Sequence, residues 1–420
     1  MTYIYYLQIL VLLALGFFLM FKGQTKAKDL IFLGVAFLTL STISAIRYEV
    51  GDDYYNYLNI FLEVKNSGFE TVFSGRREPG FALLNKLFSM VNGNFQNFYV
   101  LCALLTTGLV LLFIYQESKL PFISVFLYIS MMFYYWSLSL LRQILAASLC
   151  ALSVRFIRKK KFIPFLILVL LAGSVHYSAL ILLPAYFLAQ IKFNWKSFAV
   201  LGGVALAGFI FAPQVVSIIT QYVYKGYSDG IFSQGSSIWY GIFPSFVFAA
   251  AWCFKGNLIK QDETNNIYLN FMFYAAVFSL FVARVFILER FAVYFFLPSI
   301  VLIPNMVYTL RAPDEKLKKI GEVKGELKTL KGGQLKTKQQ ELGKLNAEIK
   351  DSKIFFGFAL GCVITITMLY HFYGFSKGFY HIQDYNTIFN KKPKSSFVGA
   401  RYRHREYLAS IGYPFEEKQP

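Results

Sequence analysis

Charge is scarce in this chain. Asp, Glu, Lys and Arg make up 15% of its 420 residues, well below the share that covers a soluble globule. Cysteine is scarcer still. Cys102, Cys150, Cys253 and Cys362 all sit inside apolar runs and form no CxxC pair, so they read as small apolar fillers rather than metal or redox groups. No basic stretch precedes the first apolar run, and KGQTKAK follows it in place of a small-residue cleavage site. That run reads as a first membrane span, not a removed signal. No internal repeat is visible, which counts against a carrier built from paired halves. Asp52 and Asp53 could touch a divalent ion, but there is no DxD motif and no second ligand cluster, so no metal site and no cofactor are expected.

What is abundant is apolar. Hydrophobic residues make up 56% of the chain and aromatics 19%, which fits an all-α, polytopic membrane bundle. Phenylalanine supplies lipid-facing bulk, while tyrosine and tryptophan supply interface anchors. The apolar runs place spans near 3–21, 28–46, 96–115, 121–137, 138–157, 162–175, 177–191, 197–219, 237–254, 267–284, 289–310 and 354–373, about twelve segments. The net charge of +19 lies in short loops and one polar insert, as the positive-inside rule expects, and no nucleic-acid partner is implied.

Loop charge sets the topology. Lys22, Lys26 and Lys28, then Arg158 to Lys161, Lys192 and Lys196, and Lys255 and Lys260 fall on one side if the N-terminus is outside. That side is the cytoplasm. The alternation requires 162–191 to cross twice, or to enter and return, with a break around Gly173–His176. Each half is shorter than the roughly 20 residues of a full span, and such breaks survive only where they line a protein cavity. The loop 47–95 then lies outside. Its stretches YNYLNIFLEV and EPGFALLNKLFSMV carry apolar residues at helical spacing and read as amphipathic helices on the membrane surface. Pro79 suits a first helical turn and puts Glu78 at that helix's N-terminus.

The chain divides into a core, 1–310, a polar hairpin at 314–353 broken at Gly332–Gly333, a last span at 354–373, and a basic, tyrosine-rich tail at 374–420. The hairpin's composition and abrupt edges fit two origins, a native cytoplasmic loop or an engineered insert. It is set aside from functional reasoning. The tail would lie outside, packing over the outer face or meeting headgroups.

A few polar residues interrupt the apolar runs: Arg142 and Gln143 in LLRQILAASL, His176 in AGSVHYSALILLP, Arg284 in LFVARVF and Arg290 in ILERFAVYFF. A charge inside the bilayer costs about 2.5–3.5 kcal/mol on insertion scales, so it is seldom present without a use. The topology gathers these residues, with Arg47, at the outer ends of their spans. Several cations at one depth suit an anionic ligand at the membrane surface. Each residue has a plainer reading as well. Arginines snorkel or pair locally, as Arg290 could with Glu289; His176 could be a satisfied core histidine; Glu78 could serve the helix dipole.

Three segments carry a resemblance: RYEVGDDYYNY from Arg47, REPGFALLNKL from Arg77, and LRQILAASLCALSVRFIRKKKFIPFLILVLLAGSVHYSALILLPAYFL from Leu141. Together, over about residues 1–310, they resemble the EpsG family of Wzy-type bacterial polysaccharide polymerases. The resemblance implies joining of undecaprenyl-diphosphate-linked oligosaccharide repeat units on the outer leaflet of the bacterial inner membrane, with no nucleotide sugar. The reducing end of one chain leaves its lipid diphosphate and is taken by a sugar hydroxyl of another lipid-linked unit. In that scheme Arg142 and Arg290 bind the diphosphate, with Arg47 or Arg284 assisting. His176 is a candidate base or diphosphate hydrogen-bond donor, Glu78 and Asp53 are candidate bases or sugar ligands, and Gln143, Asp52 and Tyr57 are candidate sugar contacts. Membrane lipids and a separate chain-length regulator are the implied partners. A flippase for the same lipid, or a ligase moving finished glycan to another acceptor, are the competing functions.

Overall fold

The computed structural model describes residues 3–410 except 21–22, 76, 193–194, 223–238, 328–329, 332, 384 and 392–396. Lys22 and Gly332, named above, lie outside the described residues. The helices are α1 (Tyr3–Met20), α2 (Lys26–Ala45), α3 (Tyr54–Asn66), α4 (Pro79–Val91), α5 (Phe95–Glu117), α6 (Pro121–Ser130), α7 (Phe133–Ser139), α8 (Leu141–Arg158), α9 (Phe162–Val175), α10 (Ala185–Leu188), α11 (Trp195–Tyr222), α12 (Trp239–Cys253), α13 (Lys255–Gln261), α14 (Asn265–Phe281), α15 (Glu289–Phe296), α16 (Ser299–Tyr308), α17 (Asp314–Glu326), α18 (Gly333–Ser376) and α19 (Val398–Ser410). Among the described residues no strand forms.

Each of the twelve expected segments corresponds to a helix or a helix pair. Four are long and apolar enough alone to cross a membrane, or up to seven if each bent pair is one span. This is a multi-pass helical membrane protein. Two expected spans drawn straight from the sequence are bent helix pairs, α6–α7 by 51° and α15–α16 by 44°, and α12 meets α13, which lies beyond the expected span 237–254, at 66°. The first bend sits at Met132, whose φ of 72° breaks the helical path. The second sits at Pro298, which cannot continue a hydrogen-bond ladder.

The 162–191 stretch doubles back on itself. At its base the Phe162 ring meets Tyr186 at 5.0 Å and Phe187 at 5.9 Å. At its tip His176 adopts an extended backbone after α9, and a 3-10 turn over Tyr177–Leu182 begins the return. The base is anchored at the lysine-rich end of the bundle. There the Asn270 amide donates to the Ala189 and Ile191 carbonyls, both at 2.7 Å. Arg158, closing α8, is held by Glu117, by Asp262 at 2.6 Å and by Thr264 at 2.7 Å. Tyr268 donates to the same Glu117 carboxylate at 2.8 Å. Four segments are thereby tied together around one half-buried guanidinium, which these partners compensate.

At the opposite end, the 46–94 loop forms α3 and α4 as the apolar spacing indicates. Asn94 caps α5 by accepting from the Gln96 amide. The tail folds back over this end. Tyr5 donates to the Ile382 carbonyl at 3.0 Å, the Ile388 amide to the Ile46 carbonyl at 2.9 Å, and Arg401 to the buried Glu49 at 2.8 Å. The polar hairpin is laced by Lys316–Glu348, Lys319–Glu341 and Lys338–Glu326 pairs. Its second arm runs without interruption into the last apolar segment as α18, so no structural break falls at 353–354.

Candidate functional site

Three helix ends converge opposite the lysine-rich end. Pro79 opens α4 and leaves Glu78 as its N-cap residue, but the carboxylate makes no capping bond. It accepts instead from Arg142, in the first turn of α8, at 2.6 Å. Its other oxygen meets His176 Nδ1, at the end of α9, at 2.8 Å. A cation in a helix's first turn opposes the macrodipole and calls for a counter-anion; Glu78 is that anion for Arg142. The guanidinium also lies over the rings of Tyr57 at 5.7 Å and Phe81 at 5.6 Å, a cation–π seat. Arg142 Nε finds no acceptor among the described residues.

Glycine permits the approach. A Cβ on Gly80 would fall 2.2 Å from Ser174 Oγ and 2.9 Å from the Ser174 carbonyl carbon, so α4 and the end of α9 touch only because residue 80 has no side chain.

Electrostatics separates two carboxyls of the 46–94 loop, Glu78 and Asp53. Burial pushes Glu78 up, but the His176 hydrogen bond and the Arg142 charge outweigh it and hold the carboxyl down at about 2. A carboxylate held so low is a poor proton acceptor at neutral pH. Because it is ionised, it can only accept, so His176 Nδ1 carries a proton in this hydrogen bond. Asp53 shifts the other way. Burial raises it, with Arg142 and Arg290 pulling it partly back.

A cavity of about 210 Å³ opens beside this cluster. Asp52, Asp53, Gln143, Glu289, Arg290 and Tyr380 supply its polar lining, and Trp136, Tyr240, Phe286 and Phe296 are among its apolar walls. Glu78, Arg142 and His176 are not part of that lining. They adjoin it through Gln143, next to Arg142 in α8, and through Asp53, which feels the charges of both Arg142 and Arg290. The Gln143 amide donates to the Arg290 carbonyl at 3.0 Å, joining α8 to α15. The loop carrying Asp52 and Asp53 is pressed on the α7–α8 junction. The Asp52 amide donates to Ser139 Oγ at 3.0 Å, and a Cβ on Gly51, at φ +90°, would strike the Leu138 carbonyl at 2.6 Å.

Of the residues singled out from sequence, Glu78, Arg142, His176 and Tyr57 form one cluster, and Asp52, Asp53, Gln143 and Arg290 line the adjoining cavity. Tyr57 is buried, its ring seating Arg142. Arg47 and Arg284 are elsewhere. Arg47 is 1% exposed, donates to Ser44 and lies 4.1 Å over Tyr99. Arg284 is exposed and packs on Phe209 at 5.6 Å. Both lie outside the cavity lining. Sequence reasoning missed Tyr370 and Tyr380, which line the cavity from α18 and the tail, and treated Glu289 only as a neighbour of Arg290. Tyr380 donates to Glu289 Oε1 at 3.0 Å, and His381 meets Asp52. The tyrosine-rich tail was the available signal. No group of three or more His, Cys, Asp or Glu is placed to hold a metal among the described residues.

A multi-pass bundle of apolar helices with a charged cluster and a cavity at one end defines the class: a helical membrane protein. The family follows from comparison. Residues 30–321 match the EpsG family, and the chain belongs to it, a family of Wzy-like polysaccharide polymerases and glycosyltransferases. The match reaches past 310 into the first arm of the polar hairpin. No curated protein and no solved structure matches the chain.

Proposed function

We propose that this protein polymerises lipid-diphosphate-linked oligosaccharide units on the extracytoplasmic side of the bacterial inner membrane. EpsG membership supports a polysaccharide polymerase-like role. The observation that carries the finer reading is the convergence of Arg142, Glu78 and His176 beside a cavity holding Arg290 and Asp53. Arg142 and Arg290 bind the diphosphate, which leaves with the bonding electrons as the anomeric carbon–oxygen bond breaks; fixed cations favour that developing charge. The acceptor hydroxyl forms the new carbon–oxygen bond and gives its proton to Asp53, the cavity carboxylate whose proton affinity burial raises. Glu78 and His176 are positioning residues that hold Arg142, and Gln143 and Asp52 contact sugar. The lysine-rich loops support a cytoplasmic opposite end. Exposed Phe73, Met90 and Val91 suit a 46–94 loop resting on the membrane.

The test is to incubate purified protein with an undecaprenyl-diphosphate repeat unit, without nucleotide sugar, and separate the products by gel. A ladder spaced by one repeat, absent with Arg142→Ala, is expected. Intact substrate, moved across liposomes by the same protein, would make it a flippase and remove the catalytic reading.

A further inference from the structure

A second, wholly different recess lies along the same helices as the cavity. It is an apolar groove of about 50 Å³, lined by Phe246, Val247 and Ala250 of α12, Ile303 and Met306 of α16, and Ile366 of α18, among others. Thr367 is a polar residue in its lining, and the Thr367 hydroxyl donates to the Val363 carbonyl of its own helix at 2.8 Å. The charged cavity is lined by the neighbouring turns of the same elements: Tyr240 and Pro244 of α12, Phe296 just before α16, and Tyr370 of α18. One stack of rings stands at the join. Phe243, a groove residue, lies 4.3 Å from Tyr370 at 18° and 6.0 Å edge-on from Phe296, both cavity residues.

We propose that this groove holds the proximal isoprene units of the lipid whose diphosphate occupies the cavity; the inference rests on the functional reading above. A lipid diphosphate is itself a charged head joined to a hydrocarbon chain, and the two recesses repeat that order along one helical trio. From Phe243 to Ala251 the groove follows roughly 12 Å of α12, the length of two or three isoprene units; at about 50 Å³ it is too shallow to enclose them, so they lie along it with their other side, and the rest of the chain, in the bilayer. A tail leaving the membrane for such a groove gains little from the hydrophobic effect, because the bilayer is equally apolar. What the groove supplies is close packing and direction. It fixes where the head must lie, and positioning of that kind controls rate steeply. The third wall comes from α18, beyond the 30–321 stretch that matches the family.

The test is photolabelling of the full protein in nanodiscs with a polyprenyl diphosphate that carries a diazirine on its second isoprene unit. Adducts should map to 239–253, 299–308 and 360–370, and excess unlabelled polyprenyl diphosphate should abolish them. Adducts scattered over the lipid-facing helices, or equal labelling of these segments by a diazirine phosphatidylglycerol, would overturn the proposal. A filling substitution, Ala250→Trp, should raise KM for a long-chain substrate by about tenfold while leaving a repeat unit on a one-isoprene diphosphate unaffected, since Ala250 lies about 10 Å along α12 from Phe243, beyond the reach of a five-carbon tail; equal effects on both chain lengths would also overturn it. Labelling needs no turnover. Failure of wild-type protein to polymerise would sink the functional reading while the adduct map still decides the groove.

Discussion

Replacing Glu78 with Gln tests the cluster directly. The side chains of Glu78, Arg142 and His176 are 10%, 19% and 13% exposed, so the pairing is only weakly screened. Removing one partner of a buried ion pair costs about 3–5 kcal/mol. The depression of the Glu78 carboxyl from 4.5 to about 2 gives a similar figure, about 3 kcal/mol in favour of the ionised form. Asp53 still feels Arg142 after the change, which favours the lower end. Geometry adds a second penalty. The amide keeps one acceptor oxygen where the carboxylate offered two, so its NH2 must face either the guanidinium or His176 Nδ1. Facing Arg142 sets donor against donor; facing His176 forces the imidazole proton onto Nε2. Thermal denaturation of wild type and Glu78→Gln should differ by about 3 kcal/mol at neutral pH. A depressed carboxyl stabilises the fold above its unfolded value and loses that contribution as pH falls through its folded value. The difference should therefore be complete above pH 4.5 and shrink as the pH falls towards 2. Polymer synthesis should fall with a raised KM for the lipid diphosphate, because Arg142 loses its anchor. A variant within about 0.5 kcal/mol of wild type, with the same small difference at pH 3, would refute the coupling.

Gly80→Val places a branched side chain where a single Cβ already meets Ser174 at 2.2 Å. It should cost about 1–3 kcal/mol and reproduce the kinetic defect of Glu78→Gln with every charge retained, measured as KM and kcat on the same substrate. Arg47→Met should leave KM for the lipid diphosphate unchanged and alter stability by less than about 1 kcal/mol, since a buried cation is exchanged for an apolar chain of similar reach; loss of polymer in that variant would place Arg47 at the ligand.

Four arginines looked alike in the sequence: Arg47, Arg142, Arg284 and Arg290 all stand at the ends of apolar runs, and apolar periodicity locates such residues without saying what they face. The neighbours that distinguish them come from far along the chain. Arg142 and His176 meet at Glu78, while Arg47 lies over Tyr99 and donates to Ser44. The break at His176 was legible, because two arms of 162–191 are each too short to cross alone. The bend at Met132 was not, since nothing in YISMMFYYW marks a left-handed residue. Glu78 was legible as a helix-start residue from the Glu–Pro pair, but its carboxylate serves another helix instead of its own. The tail was hardest to place, for its composition fitted packing over the outer face and meeting headgroups equally and singled out no residue in it. Yet Tyr370 and Tyr380 line the cavity, and Tyr380 fixes Glu289. Glu78, Arg142, His176, Asp53 and Arg290 all fall within 30–321, the family-matched stretch, whereas these two tyrosines fall beyond it. The charged groups of the site and one of its walls thus come from parts of the chain with different claims on the family pattern, and motif matching alone recovers only the first.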